Sequence, residues 1–155
     1  QLVLVGRGML RTNPELVAIL GGRPFQNRIH ALGESADLAR IVPAFDLAVS
    51  SSSRGEAFPN VIGEAMACAV PIVITDVGAS AEILGDLDRV VRPGDYEALA
   101  TTMGRLLALP ADERRRIGAR DRERIRQHYN IADIAESYCS LWRATTSNIN
   151  DICTM

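Results

Sequence analysis

Five short apolar runs alternate along the chain with segments of helical periodicity. The runs, which we interpret as strands, are Leu2 to Val5, Ile29 to Leu32, Leu47 to Ser50, Ile72 to Thr75 and Arg89 to Val91. Strands that alternate with helices pair in parallel, and the helices cover both faces of the sheet. The sequence therefore predicts the α/β class, with a Rossmann-like doubly wound parallel sheet and helices on both of its faces.

Prolines and short polar residues mark where the helices begin, because proline fits the first helical turn and a polar side chain can cap it. The expected starts are Asn13-Pro14, Asp37, Pro59, Ser80, Asp95 and Pro110, followed by a last helix from Ile131 to about Arg143. The helix after Asp37 should run to Phe45. No strand candidate follows Val91, so the sequence predicts a helical C-terminal segment. We expect one domain over residues 1–144 and a disordered tail over residues 145–155.

The composition argues against several classes of function. A formal net charge of -2 gives no electrostatic case for nucleic-acid binding, which needs a concentrated basic face. The cysteines, Cys68, Cys139 and Cys153, lack the paired spacing of a zinc site or a disulfide framework. No apolar run reaches the ~18 residues that cross a bilayer, so we expect a cytoplasmic location. The Arg-rich segment Asp112 to Gln127 is interpreted as a solvated helix with ion pairs, and peripheral contact with the inner membrane face is the alternative.

The segment Gly55 to Ala67 places two carboxylates, Glu56 and Glu64, eight positions apart across the junction between a loop and a helix. Between Ala57 and Thr75 the only charged side chain is that of Glu64. A helix that is apolar on nearly every face is a buried one, and a carboxylate inside it needs donors or a ligand. The sequence therefore predicts a buried Glu64 placed for binding. A structural carboxylate satisfied by neighbouring amides is the alternative.

The same segment should lie where a doubly wound sheet binds its ligands, at the carboxyl ends of the strands. The strand that ends at Ser50 brings the chain to that edge, and the helix that begins near Pro59 directs the amides of Asn60 and Val61 towards it. A phosphate is the natural occupant of such a helix N-terminus. One turn further along, Glu64 can accept hydrogen bonds from the two hydroxyls of a ribose. The pattern predicts a nucleotide site.

A longer series of motifs surrounds this segment in a fixed order. The motifs are Arg28-Ile29-His30-Ala31-Leu32-Gly33, Gly55-Glu56-Ala57-Phe58-Pro59, Glu64-Ala65-Met66-Ala67, Val70-Pro71-Ile72-Val73, Thr75-Asp76-Val77-Gly78 and Val90-Val91-Arg92-Pro93-Gly94-Asp95. Together they resemble the C-terminal half of a retaining GT-B glycosyltransferase of family 4, the glycosyl transferases group 1. The resemblance extends from about Leu4 to Trp142. It implies one half of a GT-B fold, with residues 1–144 as the donor-binding domain.

The resemblance implies transfer of a hexosyl unit, with retained anomeric configuration, from a UDP- or GDP-sugar to a carbohydrate or lipid-linked acceptor in polysaccharide biosynthesis. Glu56 would be the catalytic residue and would contact the hydroxyls of the donor sugar. Ala57 and Phe58 would offer backbone amides to the same sugar. Family members work without a bound metal, so no metal ion or other cofactor is expected.

The nucleotide part of the donor would be bound by residues on either side of that segment. By resemblance, Asn60 and Val61 would donate their amides to the diphosphate, and Glu64 would hold the ribose. The loop at Gly33 and Glu34 is similar to the one that packs on the nucleobase in the family. The hydrogen bonds to Glu64 and the contact of the diphosphate with the helix N-terminus differ in strength. A charge-assisted hydrogen bond contributes more binding free energy than a helix dipole usually does. We therefore expect Glu64 to set the nucleotide affinity.

The chain departs from the family pattern in ways that bear on activity. The family's first strand, its Arg and Lys that neutralise the diphosphate, and its N-terminal acceptor domain would all precede Gln1, so we expect weak donor binding and no turnover from this chain alone. The missing domain is the expected partner, with self-association of the exposed face as a further expectation. Two alternatives stay open: a nucleotide-sugar 2-epimerase on the same fold, and a non-catalytic module that binds sugar nucleotides.

Overall fold

The strands of the chain form two parallel sheets, one in each of two units. The computed structural model describes residues 1–21, 26–55 and 57–152. The first unit is Gln1–Ile41 and the second is Val42–Met155. The first unit contains β1 (Leu2–Val5), α1 (Pro14–Leu20), a 3-10 turn (Gln26–Arg28), β2 (Ile29–Gly33) and α2 (Leu38–Ile41). The second contains a 3-10 turn (Val42–Ala44), β3 (Ala48–Ser50), α3 (Asn60–Ala67), β4 (Ile72–Thr75), α4 (Ser80–Leu84), a 3-10 turn (Leu87–Arg89), β5 (Val90–Val91), α5 (Tyr96–Ala108), α6 (Ala111–His128) and α7 (Ile131–Ile152).

In the first unit, β1 and β2 pair in parallel and begin with Leu2 opposite Ile29. Helix α1 begins and ends as its capping residues predict. The Asn13 carboxamide oxygen accepts a hydrogen bond from the Glu15 amide at 3.0 Å, and Pro14 is the first helical residue. Proline costs nothing at this position, because its missing amide would have had no partner inside the helix.

Helix α2 is shorter than predicted. It ends at Ile41 instead of reaching Phe45, and the chain continues as a 3-10 turn. Pro43 explains the difference, since it has no amide to donate and disfavours helical geometry in the residue before it. Asp37 provides the backbone carbonyl that accepts from Arg40, at 3.0 Å, while its carboxylate lies 3.4 Å from the Arg40 guanidinium.

In the second unit, the strands pair in parallel in the order β3, β4, β5. All four residues of β4 are buried, which requires cover on both faces of the sheet because successive side chains point to opposite sides. One continuous core cluster contains Ile62, Ala65, Met66, Ile72, Ile74, Ile83 and Leu84. Parallel pairing and helical cover on both faces confirm the predicted α/β class, and the helices after β5 confirm the helical C-terminal segment.

Helix α6 uses its arginines to bond the ends of neighbouring elements. The Arg124 guanidinium donates to the carbonyls of Ile83 and Glu82, at 2.9 and 2.7 Å, where α4 ends. Exposed ion pairs join Arg116 to Asp112 and Arg126 to Glu123 on α6 itself. These contacts agree with the interpretation of a solvated, ion-paired helix.

A buried ion pair that the sequence did not indicate joins α6 to the turn before β5. Arg89 and Asp121 are 3% and 4% exposed. The guanidinium donates to both oxygens of the Asp121 carboxylate, at 2.6 and 2.7 Å, and its Nε donates to Asp86 at 2.9 Å. Burial lowers the pKa of Arg89, but the hydrogen bonds and charges of Asp121 and Asp86 raise it by more, so the net direction is upward. The arginine therefore stays charged inside the unit.

The start of α4 and the end of α7 differ from the prediction. Ser80 is the first residue of α4, not its cap, and its hydroxyl donates to the Val77 carbonyl. Helix α7 continues to Ile152, well past Arg143, so it includes most of the segment for which we expected a tail. Every residue from 131 to 145 is exposed. Across residues 1–21, 26–55 and 57–152, no helix combines the length and the hydropathy needed to cross a membrane.

Candidate nucleotide-binding site

The candidate site of the second unit consists of the loop between β3 and α3, residues 51–59, and the first turns of α3. Ala57 and Phe58 are exposed in this 51–59 loop. The Ala57 carbonyl accepts a hydrogen bond from the Ala79 amide at 3.1 Å, which ties the loop to the start of α4. Glu56, the predicted catalytic residue, lies outside the described residues, so its assignment stays a prediction.

The N-terminus of α3 presents backbone amides without acceptors. Its cap is Pro59, whose side chain makes no capping hydrogen bond, while the Ile62 amide donates to the Pro59 carbonyl at 3.1 Å. Among the described residues, the amides of Asn60 and Val61 have no acceptor, and both residues are exposed. Unpaired amides at a helix N-terminus carry a partial positive charge and bind anions. The geometry expected for a phosphate site is therefore present.

The prediction that Glu64 is buried is wrong. Its side chain is exposed, because α3 buries the face formed by Ile62, Ala65 and Met66 and leaves Glu64 on the opposite face. Val61 shares that outer face and is 45% exposed, so an apolar side chain stands where a solvated helix normally carries a polar one. Hydropathy alone therefore predicted that every face of α3 is buried.

The exposed position of Glu64 leaves its carboxylate available to a ligand. No described residue donates a hydrogen bond to this carboxylate or forms an ion pair with it. The alternative of a structural carboxylate satisfied by neighbouring amides thus has no support in the described part of the chain. Asn60 and Glu64 are four positions apart and lie on the same exposed side of α3.

The ring of Phe58 anchors the end of the 51–59 loop. It is 50% exposed, and its centroid lies 5.8 Å from that of Tyr129 with an interplanar angle of 56°. Tyr129 follows the last residue of α6 and its amide donates to the Ile125 carbonyl at 2.9 Å. Tilted aromatic pairs at this distance are favourable beyond their buried area. Nothing in the sequence identified Tyr129 as the partner of this ring.

The two remaining predicted residues, Gly33 and Glu34, belong to the first unit. Gly33 is the last residue of β2, where a φ of +73° suits glycine. Its amide donates to the Met9 carbonyl at 2.7 Å and its carbonyl accepts from the Gly6 amide at 2.8 Å. Glu34 is exposed directly after it. The structure thus groups five of the predicted residues in one loop and helix of the second unit, and these two at the end of a strand in the first.

Known proteins identify the family of this chain. The family model described as "Glycosyl transferases group 1" matches residues 1–109. The chain belongs to this family. The family membership inferred from the motif series is thereby confirmed. N-acetyl-alpha-D-glucosaminyl L-malate synthase from Bacillus anthracis is 30% identical to the chain over 147 residues, which is 92% of the chain and 37% of that enzyme.

Solved structures of similar fold cover nearly the whole chain. Sucrose-phosphate synthase from Thermosynechococcus elongatus superimposes with a TM-score of 0.83 at 27% identity, over 96% of this chain and 39% of that one. HepE from Anabaena, solved in complex with UDP, superimposes with a TM-score of 0.78 at 25% identity, over 92% of this chain and 40% of that one. The chain therefore spans well under half the length of the proteins it matches.

Proposed function

We propose that this chain is the donor-binding part of a retaining glycosyltransferase that transfers a hexosyl unit from a UDP- or GDP-sugar to a carbohydrate or lipid-linked acceptor. Membership of the glycosyl transferases group 1 is the basis of the proposal. The observation that carries the donor assignment is the outer face of α3, where two amides and one carboxylate are without partners among the described residues.

The spacing on α3 suits a nucleoside diphosphate. Asn60 and Glu64 are separated by about 6 Å along the helix axis, because an α-helix rises about 1.5 Å per residue. We propose that the diphosphate binds at the amides of Asn60 and Val61 and that the ribose hydroxyls donate to Glu64 one turn further along. HepE was solved in complex with UDP, which supports uracil as the first base to test.

The proposed contacts differ in their contribution to affinity. A helix N-terminus contributes about 0.3 to 1 kcal/mol to anion binding, and up to ~2 kcal/mol in a partly buried site. Hydrogen bonds to a charged carboxylate contribute about 1.5 to 3 kcal/mol. Glu64 should therefore dominate, and its removal should weaken nucleotide binding about 10- to 100-fold, since 1.4 kcal/mol corresponds to a factor of ten.

The donor sugar would lie beyond the diphosphate, against the 51–59 loop. The amides of Ala57 and Phe58 have no acceptor among the described residues, which leaves them available to a sugar hydroxyl. We propose Glu56 as the catalytic residue that contacts the sugar, and Gly33 and Glu34 as the contact to the base. The proposal includes no metal, and the leaving diphosphate would be neutralised by amides and basic side chains.

A calorimetric titration panel tests the donor assignment. The chain is titrated with UDP, GDP and ADP, together with the variant Glu64→Gln and the control Glu82→Gln, which alters an exposed glutamate on α4. We expect UDP or GDP to bind best and Glu64→Gln to weaken that nucleotide at least about tenfold, with no effect of the control. Equal affinity of wild type and Glu64→Gln would remove the ribose assignment.

A further inference from the structure

Thr75 lies at the carboxyl end of β4 and bonds to the start of the 51–59 loop. The side chain is buried, with 5% of the residue exposed. Its hydroxyl oxygen is 2.6 Å from the Ser52 carbonyl and 3.3 Å from the Ser50 carbonyl. A threonine hydroxyl has one proton to donate, so the shorter contact to Ser52 is the principal bond.

This bond extends the connection between β3 and β4 beyond the sheet. The pairing between β3 and β4 ends where Ser50 lies opposite Ile74. Within the described part of the chain, no β-pairing joins the residues after Ser50 to β4. The Thr75 hydroxyl therefore connects β4 to the chain two residues beyond Ser50. This bond fixes the direction in which the loop leaves the sheet. A β-branched side chain has few χ1 rotamers, which helps to keep the hydroxyl in this direction.

Tyr129 holds the opposite end of the same loop. Its ring contacts Phe58, which immediately precedes the proline that caps α3. The Tyr129 side chain also packs against the core cluster that contains Ile62 and Met66 of α3. One aromatic residue therefore connects the end of the loop to the core cluster and to the end of α6.

We infer that Thr75 and Tyr129 are positioning residues, which hold the 51–59 loop in the conformation that binds the donor. The inference rests on the proposed function, because the loop carries the amides assigned to the sugar. Neither residue needs to touch the donor. A loop that is already ordered binds more tightly than one that must lose conformational freedom on binding. Losing either contact should therefore lower the affinity for the donor sugar nucleotide without changing the groups that bind it.

Backbone order parameters from 15N relaxation test the positioning role without a ligand. Wild type, Thr75→Val and Tyr129→Leu are compared with the conservative variants Thr75→Ser, which retains the hydroxyl, and Tyr129→Phe, which retains the ring. For residues 51–55, 57 and 58 we expect rigid values near ~0.85 in wild type and both conservative variants, and values below about 0.6 in Thr75→Val and Tyr129→Leu. Rigid loops in Thr75→Val and Tyr129→Leu would overturn the inference.

UDP-glucose titrations of the same five proteins then test the consequence for binding. Thr75→Val and Tyr129→Leu should each weaken UDP-glucose about tenfold, and the conservative variants should stay within about twofold of wild type. Leu106→Ala, a buried change on α5, is the control for a general loss of stability, and it should leave both the loop and the affinity unchanged.

The outcomes separate this inference from the proposed function. If wild type binds no UDP, GDP or ADP, the donor assignment fails, and the order parameters alone decide whether the two residues hold the loop. If the loop loosens in Thr75→Val and Tyr129→Leu but UDP-glucose binds as in wild type, an ordered loop is not needed for donor binding and the inference is wrong.

Discussion

Removing one partner of the buried ion pair gives a prediction whose magnitude follows from the structure. In Asp121→Ala, the Arg89 guanidinium keeps its bond to Asp86 and a long contact of 3.5 Å to the Ile72 carbonyl, but loses both bonds to Asp121. Breaking a buried ion pair costs about 3 to 5 kcal/mol, and we expect about 3 kcal/mol here because Asp86 remains. That is a large part of the roughly 5 to 15 kcal/mol typical of a folded domain.

The assay is urea unfolding of wild type and Asp121→Ala at pH 7, followed by circular dichroism. A loss of about 3 kcal/mol should also lower the midpoint of thermal unfolding by about 6 to 12 °C for a chain of this size. The pKa of Arg89 is raised in the folded state, so the stability it contributes is complete below its unfolded pKa and is lost only above it. The measured difference should therefore not change between about pH 6 and pH 9 on account of this residue.

A double variant separates the buried charge from general packing. Arg89→Met with Asp121→Leu removes both buried charges and leaves only the carboxylate of Asp86, whose side chain is 37% exposed. Replacing a buried ion pair in this way is often neutral or stabilising by about 1 to 4 kcal/mol. We expect the double variant to recover most of the stability that Asp121→Ala loses. The reasoning is refuted if Asp121→Ala unfolds within about 0.5 kcal/mol of wild type, which is the ordinary range of a surface substitution.

Two further predictions concern α5 and α6. A Cβ at Gly118 would lie 1.9 Å from the Ala69 carbonyl oxygen, whereas one at Gly104 would meet nothing within 4 Å. Gly118→Ala should therefore destabilise the chain by about 1 to 3 kcal/mol and Gly104→Ala should stabilise it by about 0.4 to 1 kcal/mol, and urea unfolding that ranks them the other way contradicts this packing. Hydrogen bonds from Arg126 and Gln127 lower the pKa of Glu123. The stability that the Glu123 carboxylate contributes is therefore complete above the ordinary carboxyl pKa and is lost as the pH falls through the lowered pKa. A 13C titration should give a midpoint for Glu123 that rises in Arg126→Ala; an identical midpoint in both proteins would exclude the interaction.

The strands could be predicted because their signal is local. Ile72 to Thr75 is an apolar run that needs no distant partner to be recognised, and the structure forms β4 over the same four residues. Helix starts could also be predicted where a side chain caps the helix. At Asn13 and Asp95 the side chain accepts a hydrogen bond from a backbone amide in the first turn. Both kinds of signal depend on neighbours in sequence alone.

The exposure of Glu64 could not be predicted, because hydropathy does not distinguish a face that packs on the core from an apolar face that is exposed. Val61 and Ala67 made the outer side of α3 resemble an internal one. An exposed face whose carboxylate has no partner among the described residues still agrees with a binding site, although Glu64 is not buried there. The mechanism by which Glu64 would bind a ribose therefore depends on its accessibility, not on a dry environment.

Two contacts between residues that are distant in sequence came only from the structure. Thr75 bonds to a carbonyl 23 positions earlier, and Arg89 pairs with a carboxylate 32 positions later. Neither residue stands out from its neighbours in composition or periodicity. Such pairs depend on how helices and strands are arranged in three dimensions, and one sequence carries no direct record of that arrangement.

The central claim is that the N-terminus of α3 binds the diphosphate of a nucleotide whose ribose is held by Glu64. The most direct measurement is a 15N NMR titration of the chain with UDP and, in parallel, with uridine, which has the ribose but no phosphate. We predict saturable shifts that are largest at the amides of Asn60 and Val61 with UDP, small at these amides with uridine, and greatly weakened in Glu64→Gln. Saturable binding of UDP that leaves both amides unshifted would contradict the account.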